Sequence, residues 1–122
     1  MTKTYRVLIV DDSNLNRLAL KSYFSQLGHK VVAQAGSVDE GRKMFLEHKP
    51  DLVTIDQVMP KNPGTVLAKY INTYDEEHGT KTSLFFITGD PLRDTLKEQI
   101  NVDQYILKPS TKDKIEQAIA NL

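Results

Sequence analysis

Three carboxylates and one lysine carry most of the chemistry this chain offers. Asp11 and Asp12 follow the apolar run Val7-Leu8-Ile9-Val10, and Asp56 closes the run Leu52-Val53-Thr54-Ile55. Lys108 follows Tyr105-Ile106-Leu107, and Leu84-Phe85-Phe86-Ile87 ends in Thr88. A carboxylate at the end of an apolar run is costly to bury alone, so each of these acids needs a partner. Crowded carboxylates raise one another's pKa unless a cation compensates, and one lysine against three acids leaves two negative charges over. An all-oxygen, dianionic site suits Mg²⁺, a hard ion that keeps several waters and uses one or two carboxylates. Beside such an ion Asp56 can act as a nucleophile toward phosphorus, because carboxylates form aspartyl phosphates. Phosphoryl transfer then asks mainly for positioning and for neutralisation of the equatorial oxygens. Lys108 would act there as a point charge and the Thr88 hydroxyl as one hydrogen-bond donor.

This chemistry requires residues far apart in the chain to meet, and the pattern between them says how. The four apolar runs that end in these residues read as buried strands, and Val31-Val32-Ala33 as a fifth. Between the strands lie helical patterns. Leu20, Phe24 and Leu27 follow a cap at Ser13 or Asn14 and stop at Gly28. Ser37 and Glu40 have capping-box spacing before Val38, Gly41 and Phe45, and this helix ends ahead of Lys49-Pro50. Val66, Leu67, Tyr70, Ile71 and Tyr74 share a face of a third helix, with Asp75 to Gly79 expected as a solvated exit loop. Pro91 suits the first turn of a helix bearing Leu92, Leu96 and Ile100. Ser110 and Asp113 have capping spacing before a last helix with Ile115, Ala118, Ile119 and Leu122 inward. Strands alternating with helices in this way predict an α/β fold, a doubly wound five-stranded parallel sheet in the order 2-1-3-4-5 with five helices. Ligands of such sheets bind beyond the carboxyl ends of the strands, at the switch point between the first and third. Asp11, Asp12 and Asp56 stand at that point, flanked by Thr88 and Lys108.

Composition bounds the rest. The 122 residues form one expected domain, 1–122, with sixteen basic and sixteen acidic side chains and no cysteine. The balance of charge argues against nucleic acid or an anionic membrane surface as a direct partner. Disulfides and thiol chemistry are excluded, which fits a cytoplasmic setting. No run is long enough for a membrane span. His29, His48 and His78 lie at turns or helix ends without ligand spacing and read as surface residues. Singly, the site residues also have plain roles: Asp11 and Asp12 as helix caps, Thr88 as a strand-end threonine, Tyr105 as packing, Lys108 as a turn lysine. Their order along the chain and their shared rim favour a site.

Asp11-Asp12 after the first strand, Asp56 with Met59-Pro60 and Gly64, Thr88-Gly89, and Tyr105 three residues before Lys108-Pro109 resemble the response-regulator receiver domain, the phosphoacceptor half of two-component signalling. The resemblance covers essentially the whole chain. It implies that Asp56 accepts phosphate from a phosphohistidine of a histidine kinase or a histidine phosphotransfer protein. It implies that Asp12, Asp56 and the Val58 backbone carbonyl bind Mg²⁺ directly, with Asp11 reaching it through water. Lys108 would contact the phosphoryl group, Thr88 would move toward it, and Tyr105 would turn inward, across a cis Lys108-Pro109 bond. The surface of the fourth helix, fifth strand and fifth helix would then change for a downstream protein target. The implied protein is a single-domain switch, a monomer or weak dimer of chemotaxis or phosphorelay type, that catalyses only its own phosphorylation and dephosphorylation. Three features depart from the family pattern. The Thr88–Lys108 segment is about two residues short, Asn101-Val102 replaces a small Gly-Ala step, and Pro63 stiffens the turn beside Gly64. Val58 and Asp90 stand where the family tunes the lifetime of its phosphate.

Other functions fit less well. A Mg²⁺-dependent phosphohydrolase with an aspartyl nucleophile would place a second acid two residues on, where this chain has Val58. A binding module that had lost the chemistry would not need every site residue. A nucleotide-binding module would carry Gly-x-Gly-x-x-Gly after a strand, and none is present.

Overall fold

Successive residues of a strand face opposite sides of a sheet, so a strand apolar at every position must be covered on both. That condition sets the architecture here. A computed structural model of the chain describes residues 3–89 and 91–122. The strands are β1 (Arg6–Val10), β2 (Lys30–Ala35), β3 (Leu52–Ile55), β4 (Ser83–Thr88) and β5 (Gln104–Leu107), and all pairings are parallel in the order β2-β1-β3-β4-β5. The helices are α1 (Asn14–Gln26), α2 (Val38–His48), α3 (Gly64–His78), α4 (Asp94–Lys97) and α5 (Lys112–Ala120). Leu8, Val10, Val53, Ile55, Leu84 and Phe86 pack on one side against Val38, Phe45, Leu67 and Ile71 of α2 and α3. Val7, Ile9, Leu52, Phe85, Ile87 and Ile106 pack on the other against Leu20, Phe24, Ile115 and Ala118 of α1 and α5. No helix among the described residues is long and apolar enough to cross a membrane.

The helix starts follow local chemistry. Ser13 accepts from the Asn16 amide at 3.2 Å and Ser37 from the Glu40 amide at 3.1 Å, as their spacing predicts. At α5 the cap is Thr111, which accepts from the Lys114 amide at 3.2 Å, and not Ser110. Asp113 then lies in the first turn, where a carboxylate complements the helix dipole. Pro63 has no side chain to cap α3, and Gln57 Oε1 accepts the Thr65 amide instead, at 2.9 Å.

Two expected boundaries differ. Helix α3 runs on through His78, so Asp75 to His78 form its last turn and not a loop. Gly79, at φ 64, terminates it. Asp75 is held from the far side by the Thr80 and Thr82 hydroxyls and the Thr82 amide. The fourth helix is a single turn, and Pro91 precedes it instead of opening it. Leu92 ahead of that turn and Ile100 after it are both buried, so anchoring at its two ends sets the path of this short segment. The connection to β5 is fastened to α3 by a reciprocal amide pair. Asn72 Nδ2 donates to the Asn101 carbonyl at 3.1 Å, and the Asn101 amide donates to Asn72 Oδ1 at 2.8 Å. Asp90 lies outside the described residues.

Candidate functional site

The site is built by the last rungs of the sheet. Val10 pairs with both Ala35 and Ile55, and the next residues extend both ladders. The Asp11 amide donates to the Ala35 carbonyl at 3.0 Å, and the Asp56 amide donates to the Val10 carbonyl at 3.0 Å. Two acids whose backbones are ladder-bound in adjacent parallel strands have little freedom to separate. On the far side, the Lys108 amide donates to the Thr88 carbonyl at 2.9 Å and continues the β4–β5 ladder beyond Leu107. The chain after Asp56 passes close over it. A Cβ on Gly64 would lie 2.2 Å from the Asp56 carbonyl oxygen, so only glycine fits there.

Side chains complete the constellation. Asp11 and Asp56 are buried while Asp12 is exposed, and one oxygen from each of the three lies within 4.8 Å of the others. Lys108 Nζ stands between the two buried acids, 3.4 Å from Asp11 Oδ2 and 3.3 Å from Asp56 Oδ2. Burial, followed by the Asp11 charge, pushes the Asp56 carboxyl above its ordinary value, against the pull of Lys108 and the Val58 backbone amide. Burial works to lower the Lys108 ammonium, but the Asp11 and Asp56 charges outweigh it and hold that group above its ordinary value. One ammonium therefore leaves this pocket short of positive charge. A hard divalent cation fits that deficit and the oxygen-only donor set.

The remaining expected residues stand at different distances from this centre. Thr88 is buried at the carboxyl end of β4, on the same rim. Val58 is 72% exposed in the loop after Asp56, beside the mouth of the pocket. Tyr105 lies outside the cluster. Its ring is 6.1 Å from that of Phe86 and carries Lys97 Nζ over it at 4.8 Å, and it is 38% exposed. The Lys108-Pro109 peptide is cis.

Sequence reasoning missed residues that hold Asp11 in place, among them Arg17, whose guanidinium donates to the Asp11 carbonyl. Asn16 Nδ2 approaches Asp11 Oδ2 at 3.5 Å, while Ser13 donates its amide to Asp11 Oδ1 at 2.8 Å. Asp11 and Asp12 precede the extended cap Ser13, so no helical spacing marks Asn16, and only the folded turn brings its amide to Asp11. Gln57 was legible only as loop, yet its side chain starts α3.

The sequence pattern of the response regulator receiver domain family matches residues 7–120. The chain is a receiver domain. Receiver domains are the phosphoacceptor switches of two-component response regulators. This one is 30% identical over 115 residues to the chemotaxis protein CheY of Bacillus subtilis, covering 94% of each chain. It is 33% identical to a probable chemotaxis protein CheY of Rhizobium etli, over 93% of this chain and 88% of that one. In structure it is similar, at a TM-score of 0.83 and 25% identity, to a chain of the CheX-CheY-BeF3-Mg²⁺ complex from Borrelia burgdorferi, over 94% of this receiver and 86% of that chain. The fold is also that of CheY4 from Vibrio cholerae, at a TM-score of 0.84 and 18% identity, over 97% and 98% of the two chains.

Proposed function

We propose that this receiver is a phosphorylation switch in which Asp56 takes a phosphoryl group from the phosphohistidine of a kinase or phosphotransfer protein. The observation that carries this reading is the seat of Lys108 between the Asp11 and Asp56 carboxylates, in a pocket still short of positive charge. An Asp56 carboxylate oxygen attacks phosphorus, the new O–P bond forms as the P–N bond breaks, and the imidazole leaves with the electron pair. Lys108 exchanges its contact with the Asp56 carboxylate for the incoming phosphoryl oxygens, where its charge acts as the transition state develops. Asp12, Asp56 and the Val58 carbonyl, with Asp11 behind them, are the groups that would hold Mg²⁺. A divalent ion held there would supply positive charge to the oxygens of the transferring group. Thr88 donates its hydroxyl to the phosphoryl group, and Tyr105 follows inward. The expected output is a changed α4–β5–α5 surface, read by a protein partner through contact. Exposed Leu107 and Tyr105 give that surface its apolar area. The switch is expected to work in the cytoplasm as a monomer or weak dimer, in a chemotaxis or phosphorelay pathway.

The direct test is incubation with Mg²⁺ and acetyl phosphate, followed by intact mass measurement. Wild type should gain one phosphoryl group and Asp56→Asn none. Equal labelling of the two proteins, or no labelling of wild type, would rule this reading out.

A further inference from the structure

Lys108 must project into the acid pocket from the point where the chain leaves the sheet. β5 is an edge strand, so the outer side of its last residues has no neighbouring strand to bond. A terminal carbonyl there is satisfied by solvent or by a side chain, and a solvated turn would let the lysine swing. Here a side chain does it. Lys114 Nζ, from the first turn of α5, donates to the Leu107 carbonyl at 3.0 Å and to the Pro109 carbonyl at 2.9 Å. These are the carbonyls of the residues immediately before and after Lys108. The Lys108 amide meanwhile donates to the Thr88 carbonyl. The Lys108 backbone is thus bound on its sheet side by β4 and on its solvent side by one ammonium. Lys114 is in turn placed by its own amide, which donates to the capping Thr111 hydroxyl at 3.2 Å.

We propose that Lys114 is a positioning residue for phosphoryl transfer: it clamps the carbonyls on both sides of Lys108 and so holds that ammonium at the Asp11 and Asp56 carboxylates. This rests on the reading of Asp56 as phosphoacceptor. Lys114 touches neither acid. Its effect passes through Lys108, and small misplacements of a group that acts by charge and geometry are felt in rate. A Cα fixed at three neighbouring backbone groups needs little further ordering when the phosphoryl group arrives. Lys114 also lines a shallow groove of about 570 Å³ with Tyr105, Leu107 and Gln117. The same ammonium therefore joins the pocket to the expected output face.

The test measures the rate of phosphoryl gain from acetyl phosphate with Mg²⁺, by intact mass, in wild type, Lys114→Met, Lys114→Arg, Lys108→Met and Lys108→Met/Lys114→Met. Methionine keeps the length and apolar stem but loses the donors, while arginine can restore a two-carbonyl clamp. Lys114→Met should slow labelling about fivefold, Lys114→Arg should recover most of that, and the double variant should be no slower than Lys108→Met. Wild-type labelling in Lys114→Met overturns the clamp and leaves the phosphoacceptor reading standing. So does an equal further loss on top of Lys108→Met, because a residue that merely stabilised the fold would act whether or not Lys108 were present. Absence of labelling in wild type overturns both.

Discussion

At the residue scale, the strain in this molecule sits in a few polar atoms that the fold buries. Asp56 is one: burial and then the Asp11 charge oppose its ionisation, against the pull of Lys108. Thr54, two residues earlier, is another. Its hydroxyl is buried with no hydrogen-bond partner among the described residues, between Ile9 and Phe85 on the neighbouring strands. An orphaned buried hydroxyl costs its desolvation without return, and valine has nearly the same shape. Thr54→Val should therefore stabilise the protein by about 1 kcal/mol, seen as a higher urea midpoint at unchanged slope. A lower midpoint would mean that the hydroxyl is hydrogen-bonded in solution.

At the element scale, the turn between β3 and α3 is the tightest constraint on the site. Gly64 lies so close to the Asp56 carbonyl that a methyl group there must displace backbone, not a flexible side chain. Overpacking of this kind costs roughly 1–3 kcal/mol, occasionally more. Gly64→Ala should lose that much in chemical denaturation. It should also slow labelling by acetyl phosphate, since the displaced group belongs to Asp56, the proposed phosphoacceptor. Unchanged stability and rate would show that the turn can relax away from Asp56. The opposite end of the sheet is looser in design. Helix α4 is one turn, and the buried Leu92 and Ile100 together with the Asn72–Asn101 pair fix where the chain re-enters β5.

At the scale of the whole molecule, stability against acid depends on a residue remote from the site. His29 Nδ1 accepts the Tyr5 amide at 3.0 Å, and the Lys30 amide donates back to the Tyr5 carbonyl at 2.9 Å, which closes the start of the β1–β2 pairing. The ring also packs against Tyr5 and Phe24. It is thus more than the surface histidine that its position suggests. Burial holds the imidazole below its ordinary 6.5, with Asp51 pulling the other way. A base depressed in the folded state binds its proton more readily when unfolded. The stability contributed by neutral His29 is therefore complete above 6.5 and declines as the pH falls below it. His29→Gln keeps an acceptor but cannot titrate. Between about pH 7.5 and about pH 5.5, wild type should lose more unfolding free energy than this variant, and parallel losses would show that His29 is not the group responsible.

The strands, the helices between them and the clustering of Asp11, Asp12, Asp56 and Lys108 at one rim were legible in the sequence: the elements rest on local pattern, and the order of the sheet on the general rule for doubly wound folds. Apolar runs that end in Asp, Thr and Lys mark strands leaving a core, and the spacing of motifs marks the family. Tertiary structure alone decided the rest. The extra turn of α3 depends on Asp75 meeting Thr80 and Thr82, and the single turn of α4 depends on burying Leu92 and Ile100 together. Thr111, not Ser110, caps α5 because only the folded turn settles which hydroxyl reaches the Lys114 amide. Asn16, Gln57 and Lys114 announce nothing by type, since amides and lysines are common on surfaces. Their roles come from the way each loop folds back, which brings a carboxylate, a helix start or the two carbonyls beside Lys108 within 3.5 Å of a residue only a few positions away. Periodicity along the chain can say that a residue leaves the core, but only the packed backbone says which unpaired group it then meets.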